Sequence, residues 1–371
     1  MKFCQFVLFF LLLNFKLTAQ NSQIACYGDG LHFESLQLSD YKDHAIFLGV
    51  SHGVDFNYRV LLDLLKILNK KGDVKYIVCE ESYGESHTYN LFLQSGNDSY
   101  LCFQSEWSLE KKQFFHELFE YNNSLEPGKK LFFIGVDALT RITPFVQTLQ
   151  SLFTRNTPVP NKIASFVDSI KNVQLPINIK GSRKFYLNEL YKYSSYLRRE
   201  VNSNTQYYKD FLGLDFIHLE LIVMNNASHE NPKRRNKDVI ENINRSINLL
   251  GIKGGVLGMY GVNHTSYDSP YSMINRLKNS TESQFHNKVT NFNVHYENSK
   301  SSYYKVIDIK ESLLDRIFGK KAKDMEMSFV KAAGCSQFIM RVEDTPAQSL
   351  LKKNCDYLIY CNGGRPINEI D

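Results

Sequence analysis

Long apolar runs are missing from this 371-residue chain beyond its first residues. Phe6 to Leu13 is the one continuous greasy stretch, Asn14 and Lys16 interrupt it, and a membrane helix needs ~20 apolar residues. No membrane span is therefore expected in the mature protein. The chain also lacks a CxxC pair, a cluster of His and Cys, and an HExxH spacing, so a thiolate zinc site and the short-motif metalloproteases are not predicted. Repeats and low-complexity tracts are absent, and the composition is neither disordered nor fibrous. An excess of either charge is lacking too. Lys and Arg total 44 against 39 Asp and Glu, a formal charge of +5, too mild to point to nucleic acid. Lys233-Arg234-Arg235 and Lys320-Lys321 are short basic clusters of the kind that face solvent.

What is present begins at the N-terminus. Met1-Lys2-Phe3-Cys4-Gln5, the run Phe6 to Leu13, and Leu17-Thr18-Ala19-Gln20 match the charged, apolar and small-residue parts of a secretory signal, with cleavage expected near Ala19. Its removal takes Lys2 and Lys16 and no acid, lowering the formal charge from +5 to +3. The protein is then expected to be exported, to the periplasm or beyond it. Cys26, Cys79, Cys102, Cys335, Cys355 and Cys361 would remain for an oxidising compartment, enough for one or two disulfides. Cys355 and Cys361 fall on one predicted strand, ~20 Å apart by strand rise, and should not pair with each other. With 43% apolar and 13% aromatic residues, the chain can bury a large core.

Ala45 to Val50 reads as a buried strand, and His52 sits on the turn that follows it. Ligands of open α/β sheets gather beyond the carboxyl ends of the strands, so an imidazole there is well placed to meet a substrate. A turn histidine capping backbone carbonyls is the plain alternative. Asp55 is a suitable N-cap for a helix to about Lys71, with Leu61, Leu64, Leu65 and Leu68 as its apolar stripe and Gly72 ending it. Lys75 to Cys79 is a second strand, delivering Glu80 and Glu81, and the strand-helix-strand spacing implies a right-handed parallel crossover. Phe114, Phe115, Leu118 and Phe119 mark a helix. Lys130 to Asp137 is a third strand, ending on Asp137.

From about 144 to 250 the pattern is helical and aromatic, with Leu187, Leu190, Tyr191 and Leu197 on one segment and Phe211, Leu219 and Ile222 on another, all read as core. Val239, Ile240, Ile243, Ile247 and Leu250 form a further stripe closed by Gly251. A strand over Gly254 to Gly261 leads into His264, and later strands are expected over Tyr303 to Ile309, Gln337 to Val342 and Tyr357 to Cys361, with a helix from Pro346 to Lys352. The expected fold is α/β, a mostly parallel central sheet flanked by helices, in one domain over residues 20–371 with a helical insertion or lid over about 144–250.

His52, Glu80, Asp137 and His264 thus each end a separate predicted strand. Placed around one crevice, they combine acid, base and metal-ligating groups. Asp137 serves equally as a helix N-cap. Glu81 is expected to point the other way from Glu80, toward solvent. Arg59, seven residues and ~10 Å of helix rise beyond His52, suits a surface position, and Arg235 suits either a surface or a site.

These segments resemble the erythromycin esterase-like family. Leu48-Gly49-Val50-Ser51-His52-Gly53, followed by a helix with Arg59, is similar to its loose G-E-x-T-H-G motif, and Ile77-Val78-Cys79-Glu80 to its strand ending in glutamate. Tyr89-Asn90 to Gly96, Gly135-Val136-Asp137, Arg235 to Asn242, Val262-Asn263-His264 and Asp356 to Cys361 resemble further family segments. The chain departs from the pattern where Gly49 takes the place of the motif's acid, Asn236 that of an Asp, and Gly261 that of the first of two later histidines. The repeated G-x-x-H, Gly49 to His52 and Gly261 to His264, also resembles the wider superfamily of TraB and pheromone-shutdown proteins and haem-binding iron-uptake lipoproteins.

The resemblance implies a hydrolase acting on an ester or amide of a small or medium-sized molecule, without a cofactor. In that role His52 would be general base, Glu80 would steady its ring, His264 would polarise the carbonyl, and Arg235 or Arg59 would offset developing negative charge. Three alternatives stay open. One is a TraB-type peptidase holding a divalent metal ion with His52, Glu80 and His264, another a non-catalytic binder of haem or another ligand, and the third an inactive scaffold that kept the fold.

Overall fold

Parallel strands cannot be joined by tight hairpins, and the connections between the strands from Ala45 to Glu297 are accordingly long and mostly helical. A computed structural model describes residues 25–26, 33, 38–101, 109–155, 158–177, 182–225, 232–269, 271–297, 300–301, 307–308, 337–341 and 355–362. The strands are β1 (Ala25–Cys26), β2 (Ala45–Val50), β3 (Tyr76–Cys79), β4 (Phe132–Gly135), β5 (Val256–Gly261), β6 (Val289–Glu297), β7 (Lys300–Ser301), β8 (Ile307–Asp308), β9 (Gln337–Arg341) and β10 (Tyr357–Asn362). Helices α1 (Phe56–Gly72), α2 (Tyr83–Ser95), α3 (Leu109–Ser124), α4 (Ile142–Arg155), α5 (Asn161–Lys171) and α6 (Arg183–Ser203) are followed by α7 (Thr205–Leu212), α8 (Phe216–Met224), α9 (Pro232–Leu249), α10 (Val262–Thr265) and α11 (Met273–Asn279).

The sheet order is β1-β9-β10-β6-β2-β5-β3-β4. From β10 to β4 every described pairing is parallel, and β9 and β1 add antiparallel strands at the far edge. The fold is α/β, as the alternation of strand and helix patterns implies. Both faces of the sheet are covered, which is why the strands read as apolar runs. Ala45, Phe47, Val78, Ile134 and Val256 join the core on one side. Ile46, Leu48, Ile77, Phe133 and Leu257 join the core on the other.

Several local details differ from the sequence expectation, each for a physical reason. The spacing of β2, α1 and β3 suggests adjacent strands, yet β5 lies between β2 and β3 and pairs with both. β6 is a buried strand that the apolar-run criterion misses, since Asn291, Asn293 and His295 alternate with Phe292, Val294 and Tyr296. Helix α1 runs through Gly72, and Asp73 makes its left-handed cap at φ 55°, its N–H bonding Leu68 O, a conformation that Asp tolerates better than most side chains. In α6, Leu190, Leu197 and Val201 are buried while Tyr191 is 75% exposed, lying one residue, about 100° of helix, round from Leu190.

β4 is an edge strand, and its outward backbone groups are satisfied by side chains. Asn90 both accepts from Phe133 N and donates to Phe133 O, at 2.7 and 2.9 Å. Ser86 Oγ accepts from Gly135 N at 2.7 Å, and a Cβ on Gly135 would lie 2.1 Å from Ser82 O, so glycine is needed for α2 to start there. Ser82 and Glu85 close a reciprocal capping box at the same point.

Cys79 carries a free thiol, and Cys355 lies just before β10 rather than in it. The signal segment expected over 1–19, the helix expected over 346–352, Lys320-Lys321, Cys102 and Cys335 lie outside the described residues. Of the strand expected over Tyr303 to Ile309, only Ile307–Asp308 is described, paired with Lys300–Ser301 in a separate ribbon. No helix among the described residues is long and apolar enough to cross a membrane.

Candidate functional site

The chain leaves β3 in one direction across the sheet, to β4, and leaves β5 in the other, to β6, and the carboxyl ends at such a reversal are where open α/β sheets take their ligands. His52 follows β2, Glu80 follows β3, Asp137 follows β4, and Gly261 ends β5 with His264 in the helical turn α10 beyond it. The structure brings these groups to one rim. His52 Nε2 is 3.9 Å from Glu80 Oε2, and the other Glu80 oxygen is 3.8 Å from Arg235 Nη2. Arg235 in turn grips Asp137, donating from Nε to Oδ1 and Oδ2 at 2.9 and 3.1 Å and from Nη2 to Oδ2.

Helix α9 is held at this rim by its own side chains. Asn242, two turns on from Arg235, donates to Val136 O at 2.8 Å, and the buried Asn236 donates to Tyr271 O at 2.8 Å. Asp137 Oδ1 also accepts from Ala138 N at 2.7 Å, so the carboxylate organises the turn after β4 as well as the guanidinium.

Proton affinities follow from these surroundings. Burial raises the Glu80 carboxyl, and with the neighbouring Asp137 and Glu81 it outweighs Arg235 and the Gly261 N–H, leaving the group at about 8. For His52 the direction is reversed. Although 42% of its side chain is exposed, the ring stands among packed protein, and that loss of solvation together with Arg235 lowers its pKa below 6.5. His264 is lowered by burial and by Arg235, with Asp137 opposing. Near neutrality the rim therefore holds an uncharged imidazole facing a protonated carboxyl.

The glycine departures have steric causes here. A Cβ at Gly261 would lie 2.8 Å from His52 Nε2 and 3.8 Å from His264 Cδ2, so the imidazole of His52 leans over that glycine. A Cβ at Gly49 would lie 2.2 Å from both Asn293 Oδ1 and Thr265 Oγ1.

Two residues from the sequence reading stand apart from the cluster. Arg59 is exposed on α1, and no described hydrogen bond or ion pair joins it to the rim. Glu81 turns away from Glu80, but into an ion-pair nest rather than solvent, with 20% of its side chain exposed. It accepts from Tyr89 OH at 2.9 Å and lies 3.7 Å from Lys111 Nζ and 4.0 Å from Arg141 Nη2. Burial would raise its pKa, but Lys111, Arg141 and Tyr89 outweigh it and hold the group ionised. The second network comprises Tyr89, Glu85, Lys111 and Arg141, which no single motif signals because they come from three separate segments. Among the described residues, no three His, Cys, Asp or Glu side chains converge as a metal-holding group.

No family model and no curated protein matches the sequence. Solved structures do match. A succinoglycan biosynthesis protein is 14% identical at a TM-score of 0.65, with 96% of this chain and 98% of that chain covered. A Bacillus cereus protein is 11% identical at 0.64, covering 96% and 99%. A mutant of the erythromycin esterase EreC in its open conformation is 12% identical at 0.57, covering 91% and 95%. The chain thus has the fold of the erythromycin esterase EreC and of the succinoglycan biosynthesis protein, along nearly its whole length.

Proposed function

We propose that this protein is a hydrolase of an ester, or amide, of a small or medium-sized molecule, with His52 as the general base acting on water. The observation that carries this is the approach of the His52 imidazole to within 3.9 Å of the Glu80 carboxyl, in surroundings that lower the pKa of the first and raise that of the second. That gap is longer than a hydrogen bond, yet both groups can reach one reactant oxygen at ~2.8 Å. Water would give its proton to His52 as it attacks the carbonyl carbon, and Glu80 would give its own to the departing oxygen or nitrogen.

The two transfers assist each other. An imidazolium formed at His52 favours the ionised form of Glu80, so loading the base prompts the acid to release its proton. Arg235, held by Asp137, supplies fixed positive charge beside Glu80, and His264 would bond the carbonyl oxygen. The N-terminal apolar run supports action after export.

The test is hydrolysis of a panel of p-nitrophenyl esters and anilides by the full chain. His52→Ala is expected to lose about 10²–10⁴-fold in rate while melting within a few degrees of wild type. The pH profile should rise through the range below 6.5 and fall above about 8. Equal rates for the variant and wild type would end the proposal. Loss of activity on chelation would move the chemistry to a divalent metal ion. A Soret band on haem addition with no turnover would make the protein a ligand carrier.

A further inference from the structure

We infer that β6, which contributes no group to the rim, is the strand that positions both imidazoles, Asn293 acting on His264 through α10 and Tyr296 acting on His52 through the turn at Ser51. The claim deepens the hydrolase reading and rests on it for its catalytic consequence, though not for its geometry.

β6 pairs with β2 so that Asn293 stands beside Gly49 and Phe292 beside Leu48. Alternate side chains therefore leave β6 on opposite faces of the sheet. On one face lies α10, a turn of four residues, too short to hold its own orientation. Asn293 is 2% exposed and Thr265 fully buried, and they are joined by hydrogen bonds. Thr265 Oγ1 donates to Asn293 Oδ1 at 3.3 Å, and Asn293 Nδ2 donates to Ser266 Oγ at 3.3 Å. Asn291, two residues earlier on the same face, donates to Thr265 O at 2.7 Å and to Asn293 Oδ1 at 3.1 Å. Thr265 is thus tied to β6 through its hydroxyl and its carbonyl oxygen, and Ser266 through its hydroxyl, and His264 is the residue immediately before Thr265. Gly49 completes the arrangement by leaving the volume that Asn293 and Thr265 fill.

On the opposite face Tyr296 is 4% exposed and remains a phenol, since burial raises its pKa well above the usual value. Its hydroxyl donates to Asn57 Oδ1 and accepts from Ser51 N at 3.3 Å. Asn57 Nδ2 donates to Ser51 O at 2.7 Å. Both backbone groups of Ser51 are therefore clamped between β6 and the first turn of α1, and His52 is the next residue. Buried hydrogen bonds of this kind favour a single geometry, because a rearrangement that breaks them leaves a further unpaired donor or acceptor in a low-dielectric interior.

The two clamps are separable, which gives the test its form. Tyr296→Phe, Thr265→Val and the conservative Thr265→Ser are compared in the full chain. Readouts are kcat and KM on the best ester of the panel, and the ring C2–H resonances and titrations of His52 and His264 by NMR. Tyr296→Phe is expected to shift the His52 signal and leave His264 in place, and Thr265→Val to do the reverse. Each should lower kcat by roughly 10- to 100-fold with KM within about twofold, and Thr265→Ser should stay close to wild type in both readouts. Unchanged imidazole signals in Tyr296→Phe and Thr265→Val would overturn the inference, as would shifts in both histidines from either variant, the mark of a general loosening. Should Thr265→Val fail to fold, Tyr296→Phe and Thr265→Ser still decide the matter. If the wild-type chain hydrolyses nothing, the hydrolase reading falls, while the NMR pattern continues to decide the positioning.

Discussion

Glu80 keeps its proton near neutrality because burial and the Asp137 carboxylate outweigh Arg235, which places the group at about 8 against 4.5 when unperturbed. Between 4.5 and about 8 the folded chain therefore holds more protons than the unfolded one, and folding stability falls as pH rises through that window. Glu80→Gln removes the ionisation, so the variant should be more stable than wild type at pH 8 by at least about 1 kcal/mol and show little difference near pH 5. Urea titrations at the two pH values measure this, and a variant less stable at pH 8 would contradict the protonated carboxyl. Such a gain in stability with a loss of turnover is what a group held for chemistry shows. The location of Glu80 at a strand end is legible in the sequence. Its protonation is not, since that depends on Asp137, 57 positions away in the chain, being brought to the same rim.

Strands and helices show the same division. Apolar runs bounded by glycine and polar residues identify β2, β3, β4 and β5, and the leucine stripe identifies α1. β6 escapes because its polar half faces a buried network rather than water, so alternation there signals positioning and not an exposed face. The edge strand β4 illustrates a different device. Rather than pairing with another strand, its free backbone groups bond the buried Asn90, Ser86 and, one residue before β4, Asn122, which accepts from Leu131 N at 2.8 Å. Such capping removes an edge that would otherwise recruit other strands. Asn90→Ala leaves Phe133 N and O unpaired in the interior and is expected to cost about 2–4 kcal/mol, read from the urea midpoint at constant m-value. A change within experimental error would mean that water replaces the amide.

Across the whole molecule, the helices between β4 and β5 share one apolar core with the sheet, and a pair of histidines marks their junction. His87 on α2 and His218 on α8 have ring centroids 4.7 Å apart, Tyr83 OH and His218 Nδ1 are 2.7 Å apart, and the buried His87 Nδ1 has no hydrogen-bond partner among the described residues. Burial lowers both imidazoles below 6.5, Arg155 adding to it in each and Asp215 opposing it in His218. Below 6.5 the unfolded chain binds protons that the folded chain refuses, so stability should fall as pH drops from 6.5. His87→Phe is expected to flatten that fall, measured as the urea midpoint between pH 7 and pH 5, and an unchanged slope would clear the pair of responsibility. By itself the sequence determined the α/β class, most of the strands and the residues that end them, because apolar periodicity, caps and strand-end polar groups are local properties. Only the tertiary structure decided that β5 enters between β2 and β3, that Arg235 is held by Asp137, and that the Glu80 carboxyl is pushed up to about 8 while the His52 imidazole is lowered. Those outcomes depend on burial and on charges brought together from distant segments, which no local window of sequence contains.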